Sequence, residues 1–155
     1  MSADEQFPGV DPDIDLRVAQ ERQELDRPAP ILVVISLGGI LGATARYAAS
    51  RLWPADGFPW TTLAVNVTGC LLLGVLMAWL ANLERPHPLL RPFLGVGILG
   101  GYTTFSTFAE ETRVLLSDGH AGQALGYVVL SVAGGLAAVL AGRILLAPLP
   151  AKEMS

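Results

Sequence analysis

The chain has 155 residues, 52% of them hydrophobic and only 15% charged, with a positive mean hydropathy and a formal net charge of -4. Soluble domains carry about 25% charged residues, so this deficit points to a membrane protein. No basic cluster suits nucleic acid, a lone Cys70 rules out an internal disulfide, and His87 and His120 are too far apart in sequence for metal-ligand spacing.

Residues 1–27 are polar and predict a disordered acidic cytoplasmic tail. Asp4, Glu5, Asp11 and Asp13 stand where a signal peptide would be basic, so the first apolar segment must direct insertion. That segment predicts a helix over 30–52, roughly 34 Å long and enough for a ~30 Å hydrocarbon core. Gly38 and Gly42 give it a GxxxG face. Arg46 lies near its far end, where snorkelling to the interface and standing at the mouth of an ion path weigh equally. Trp53 and Trp60 flank a short loop and suit an aromatic belt.

A second uncharged run predicts a helix over 60–83. Asn66, about two turns in, needs a partner in the bilayer. An interhelical hydrogen bond and a place along a substrate path are equally good readings of it. An asparagine amide can donate to an anion, whereas a carboxylate cannot. Cys70, in mid-segment, reads as a small buried apolar residue. Pro86, Pro88 and Pro92 then prevent a continuous helix through the next loop.

The third segment, 92–117, carries the stretch around which the chain is organised. Gly95, Gly97, Gly100 and Gly101 are followed by Tyr102-Thr103-Thr104-Phe105-Ser106-Thr107-Phe108. Glycine costs a helix about 1 kcal/mol relative to alanine, and the threonine pair adds β-branched stiffness. A break is therefore expected at 100–104. In a membrane it must be buried in protein or line a wet cavity, where freed carbonyls can bind a cation. A glycine packing face through Gly97 and Gly101 explains the glycines but not the hydroxyls and phenylalanines after them.

An Asp118-Gly119-His120 turn leads to a fourth helix over 121–146. Gly134, Ala138 and Gly142 give it a close-packing face, while the hydroxyls of Tyr127 and Ser131 share another. Either hydroxyl can simply bond backbone, Ser131 especially, on the carbonyl four residues back. Residues 28–147 thus form one four-helix transmembrane domain, with 148–155 as a C-terminal tail.

With these residues in hand, the chain resembles the Fluc fluoride channels, the CrcB-like membrane proteins. Three motifs carry the resemblance: Gly38-Gly39-Ile40-Leu41-Gly42-Ala43-Thr44-Ala45-Arg46-Tyr47, Thr62-Leu63-Ala64-Val65-Asn66-Val67-Thr68-Gly69, and the stretch from Gly100 to Phe108. It covers about Ile31 to Leu146, and the long acidic N-terminus is unusual for that family. The resemblance implies an all-α membrane protein of four transmembrane helices, the third broken near its middle, paired as an antiparallel dimer. The partner subunit is either a second copy or a paralogous chain, and the expected site is the bacterial plasma (inner) membrane. It further implies a passive path exporting cytoplasmic fluoride, lined by Asn66, Phe105, Ser106, Thr107, Phe108, Tyr127 and Ser131. Arg46 and Glu111 would lie at its mouth and vestibule. A structural sodium ion would rest on backbone carbonyls of Gly100 and Thr103. The polar track's next member falls on Gly135, which has no side chain.

Lys and Arg are more frequent on the side of the termini and middle loop, which favours a cytoplasmic N-terminus. Without the three tail arginines the count is four against three, close to the balance that dual insertion needs. Two other classes compete. A proton-coupled multidrug exporter needs a carboxylate within the membrane, and the apolar runs hold none before Glu110 and Glu111. A non-conducting structural subunit would tolerate alanine throughout 103–108. An enzyme is not expected, for want of a nucleophile–base pair, metal-ligand set or phosphate loop.

Overall fold

The computed structural model describes residues 28–146. The expected tails, 1–27 and 148–155, lie outside the described residues. Six helical pieces follow one another: α1 (Pro28–Leu52), α2 (Trp60–Ala81), a π-helix (Arg91–Leu99), α3 (Gly100–Tyr102), α4 (Phe105–Ser117) and α5 (Ala121–Leu145). Regular structure among the described residues is entirely helical. Three helices, Ala29–Leu52, Trp60–Ala81 and Ala121–Leu145, are long and apolar enough to cross a bilayer.

Small residues decide how the helices pair. A methyl group added at Gly38 would meet the Phe93 carbonyl oxygen at 2.6 Å, and one at Gly42 would fall onto the Ile98 carbonyl. From the other side, a methyl at Gly101 would meet the Gly39 carbonyl at 2.6 Å. The GxxxG faces of α1 and of the glycine-rich stretch therefore lie against each other, their residues advancing in the same direction. Gly74 and Gly142 perform the same task between α2 and α5, where a methyl on either would strike the other helix's backbone. Without water to drive association, such backbone proximity is what lets dispersion hold membrane helices together.

The third segment is where regular winding fails. From Arg91 to Leu99 it is π-helical, a form otherwise met mainly as single-turn bulges near functional sites. After one α-turn the backbone opens: Thr103 has ψ 158°, and Thr104 has φ -147° and ψ 122°. Winding resumes at Phe105, with Thr104 as N-cap accepting from the Thr107 N–H at 3.2 Å. The extended residues are thus Thr103 and Thr104, at the end of the expected 100–104 window.

The turn after α4 is a Schellman cap. His120 N–H donates to the Leu115 carbonyl at 2.8 Å and Gly119 N–H to Leu116 at 3.2 Å. Gly119 has φ 81°, a conformation that needs glycine. This turn folds α5 back along α4. A small core of Leu115, Ala124 and Tyr127 then forms, with Phe58, Leu63 and Phe108 against it.

Candidate functional site

The site is built on the break. Asn66, on α2, reaches across and pairs with Thr104 twice: Nδ2 donates to the Thr104 carbonyl at 3.0 Å, and the Thr104 N–H donates to Oδ1 at 2.8 Å. This reciprocal pair satisfies the two backbone groups that extension at Thr104 takes out of the helical ladder. An amide nitrogen carries two hydrogens, so one remains uncommitted. Of the two readings of Asn66, the interhelical hydrogen bond is thus present.

The same pairing affects Gly100. In a continuous helix the Thr104 N–H would donate to the Gly100 carbonyl, but here it is engaged by Asn66. At Thr103, ψ 158° turns the carbonyl off the helical path. Among the described residues no hydrogen bond from outside a helix reaches either oxygen. Arg46 Nε donates to the neighbouring carbonyl of Gly101 at 3.2 Å. Its guanidinium therefore touches the turn just before the break.

Beside the break lies a cavity of about 410 Å³ whose wall includes Asn66, Gly100, Thr103, Phe105, Phe108 and Ser131. Phe105 is 79% exposed and its ring lies 5.9 Å from that of Phe108, centroid to centroid. Ser131 differs from the other helix hydroxyls. Ser36, Thr44, Thr103 and Thr112 each bond the carbonyl four residues back, whereas the Ser131 oxygen is buried with no partner among the described residues. The expected self-satisfaction of Ser131 does not occur.

The remaining expected path residues gather on the far side of Phe108. Glu111 accepts from Thr62 Oγ1 at 2.8 Å and from the Tyr127 hydroxyl at 2.7 Å, while Tyr127 itself is wholly buried. The Phe108 and Tyr127 rings are 5.1 Å apart, which links this cluster to the first cavity's wall. Thr107 hydrogen-bonds Thr104 and borders two further cavities, one of about 470 Å³ with Glu111 and one of about 200 Å³ with Arg46. Ser106 is exposed, 3.3 Å from the Thr104 hydroxyl, and borders none of these cavities. Four expected path residues (Asn66, Phe105, Phe108, Ser131) therefore share one cavity, and Thr107, Glu111 and Arg46 border its neighbours, while Tyr127 is joined to them through the Phe108 ring and the Glu111 carboxylate. Sequence reasoning passed over Thr62 and Thr104. A hydroxyl beside a run of others gives no local sign that it will hold a carboxylate or cap a helix.

Membrane-length helices, a broken segment and an open, largely apolar cavity whose wall includes an amide and two aromatic rings define a polytopic helical membrane protein with a candidate site at the helix break. Comparison with known proteins makes the assignment definite. Residues 33–143 match the family model described as "CrcB-like protein, Camphor Resistance (CrcB)". A "Fluoride-specific ion channel FluC 1" of Streptomyces coelicolor is 49% identical over 113 residues, covering 72% of this chain and 73% of the relative. A "Fluoride-specific ion channel FluC 2" of Nocardia farcinica is 52% identical, covering 72% of this chain and 81% of the relative. A "Fluoride-specific ion channel FluC" of Paracoccus denitrificans is likewise 52% identical, with coverages of 70% and 87%. The chain belongs to the CrcB-like family.

Proposed function

We propose that the protein is a fluoride-selective passive channel in the bacterial inner membrane, exporting the anion from the cytoplasm. The observation that carries this reading is the cavity at the break whose wall includes Asn66, with one amide hydrogen uncommitted, Ser131, with its buried unpartnered hydroxyl, and the Phe105 and Phe108 rings. Fluoride is small and strongly hydrated, so a pore must replace its water with several weak donors at once. Amide and hydroxyl hydrogens and positive ring edges do so without the trap a buried arginine would make. Weak-acid hydrogen fluoride enters a cell and dissociates, and a negative membrane potential then drives the anion out. Transport is electrogenic and passive; the protein is not an enzyme.

In this reading the segmented stretch from Arg91 to Ser117 makes the fourth crossing, and two subunits pair in opposite orientations. With the three tail arginines set aside, the nearly balanced charge of the two sides supports dual insertion. The partner is a second copy or a paralogous subunit, an option that the numbered names of relatives support. Tyr127, Thr107 and Ser106 continue the path, Glu111 stands in its vestibule and Arg46 near its mouth.

A structural sodium ion fits the break. Gly100 and Thr103 each offer a carbonyl released from the helical ladder, and oxygen donors without a formal charge suit a hard cation. Two carbonyls are too few for such an ion, and a second subunit would supply two more. Bound there, the ion would supply positive charge that fixes both breaks.

Expression in a bacterium lacking its own fluoride export tests the function. Growth in fluoride that stops otherwise identical cells is the expected result, and no protection despite folded protein in the membrane contradicts it.

A further inference from the structure

Among the cavity-wall residues that the channel reading does not use, Cys70 alone carries a reactive side chain. Cys70 lies one helical turn beyond Asn66 on α2, so the two side chains share a face and both border the 410 Å³ cavity. Across from it, α5 carries Ser131, with its buried, unpartnered hydroxyl, and one turn further on Gly135. Gly135 is buried and has no side chain. A β-carbon placed on it would meet the Cys70 sulfur at 3.3 Å. The Cys70 thiol therefore fills the space that a side chain at Gly135 would take.

A thiol in a sealed core would be only packing. This one is half-buried and borders the same cavity as Ser131, whose hydroxyl lacks a partner among the described residues. An S–H is a weak donor and sulfur is soft and polarizable, so the group adds to the wall without binding an anion tightly.

We propose that Cys70 is a wall residue of the anion path, standing in for the side chain that Gly135 lacks, and that its thiol makes conduction sensitive to small neutral thiol reagents. The proposal rests on the channel reading above. A methylthio group added to this sulfur removes a donor and narrows the cavity where α2 faces Gly135 of α5.

Cys70 is the sole cysteine, so the wild-type protein is its own assay. Purified protein in liposomes is treated with methyl methanethiosulfonate. The Cys70 thiolate attacks the sulfenyl sulfur, the S–SO2 bond breaks, methanesulfinate leaves with the bonding pair, and the thiol proton passes to buffer. The product is a methyl disulfide on Cys70. Fluoride efflux is expected to fall on the order of tenfold, in step with the mass gain on the intact protein. Dithiothreitol should restore both, which separates block from unfolding. Cys70→Ser, compared with its own untreated rate, should show no response to the reagent. Complete labelling with unchanged efflux overturns the proposal, as does a Cys70 that stays unlabelled in protein that conducts. Untreated folded protein that passes no fluoride overturns the channel reading itself, and this proposal with it.

Discussion

Asn66 and Thr104 are joined by two hydrogen bonds, one in each direction, across 38 residues of sequence. The pairing closes the gap in the third segment and leaves the Gly100 carbonyl without its helical donor. Structure at the break and chemistry at the cavity thus depend on one side chain.

Asn66→Asp keeps the acceptor for the Thr104 N–H but sets a carboxylate oxygen against the Thr104 carbonyl and removes both amide hydrogens. Fluoride efflux should fall at least about tenfold, since a buried group left unsatisfied costs roughly 1–3 kcal/mol. Asn66→Ala, which orphans both backbone groups, should lower stability by a similar amount, read as thermal unfolding in detergent. Normal efflux through folded Asn66→Asp would remove Asn66 from the path.

Phe105 is mostly exposed within one subunit, so its replacement leaves that subunit's packing almost intact. Phe105→Ile should suppress fluoride efflux by about tenfold or more through loss of the ring edge, while the size of the purified assembly stays the same. Efflux at the wild-type rate would end the ring-edge argument.

Gly42→Ala places a methyl on the Ile98 carbonyl and within 2.7 Å of the Tyr102 nitrogen. Neither can move without shifting α1 off the third segment, so the loss should exceed about 3 kcal/mol and little folded protein should be recovered. Gly122→Ala is the control: nothing lies within 4 Å of the added methyl, and better helix propensity should leave stability equal or slightly raised. Equal yields of the two variants would contradict the close packing of α1.

Tyr127→Phe removes one of the two donors to Glu111 in a buried cluster. A hydrogen bond to a charged group is worth about 1.5–3 kcal/mol, and the melting temperature should drop accordingly. An unchanged melting temperature would mean that water replaces the tyrosine and that the cluster is wetter than its burial indicates.

Much of the architecture was legible because a bilayer imposes length and polarity rules on any chain that crosses it. Apolar runs carrying a charge only near their ends, as at Arg46 and Arg51, and bounded by Pro54 and Trp60 or by Asn82 and the following prolines, announce helices of known reach. The break was legible from Gly100, Gly101 and the two threonines, all poor helix formers in a row. The π-winding of Arg91–Leu99 was not, because it arises where α1 presses backbone to backbone at Gly38 and Gly42. Asn66 left two readings open because its partner is distant in sequence. Ser131 broke the usual habit of bonding back along its own helix, and Cys70 read as core because a lone cysteine usually is. Both are decided by what α2 and α5 bring face to face.

The most direct measurement is passive efflux from liposomes holding only this purified protein, with fluoride and chloride each followed by an ion-selective electrode. The account predicts rapid fluoride release with negligible chloride release. Folded protein that releases no fluoride, alone or with a paralogous subunit added, or that releases chloride equally fast, would contradict it.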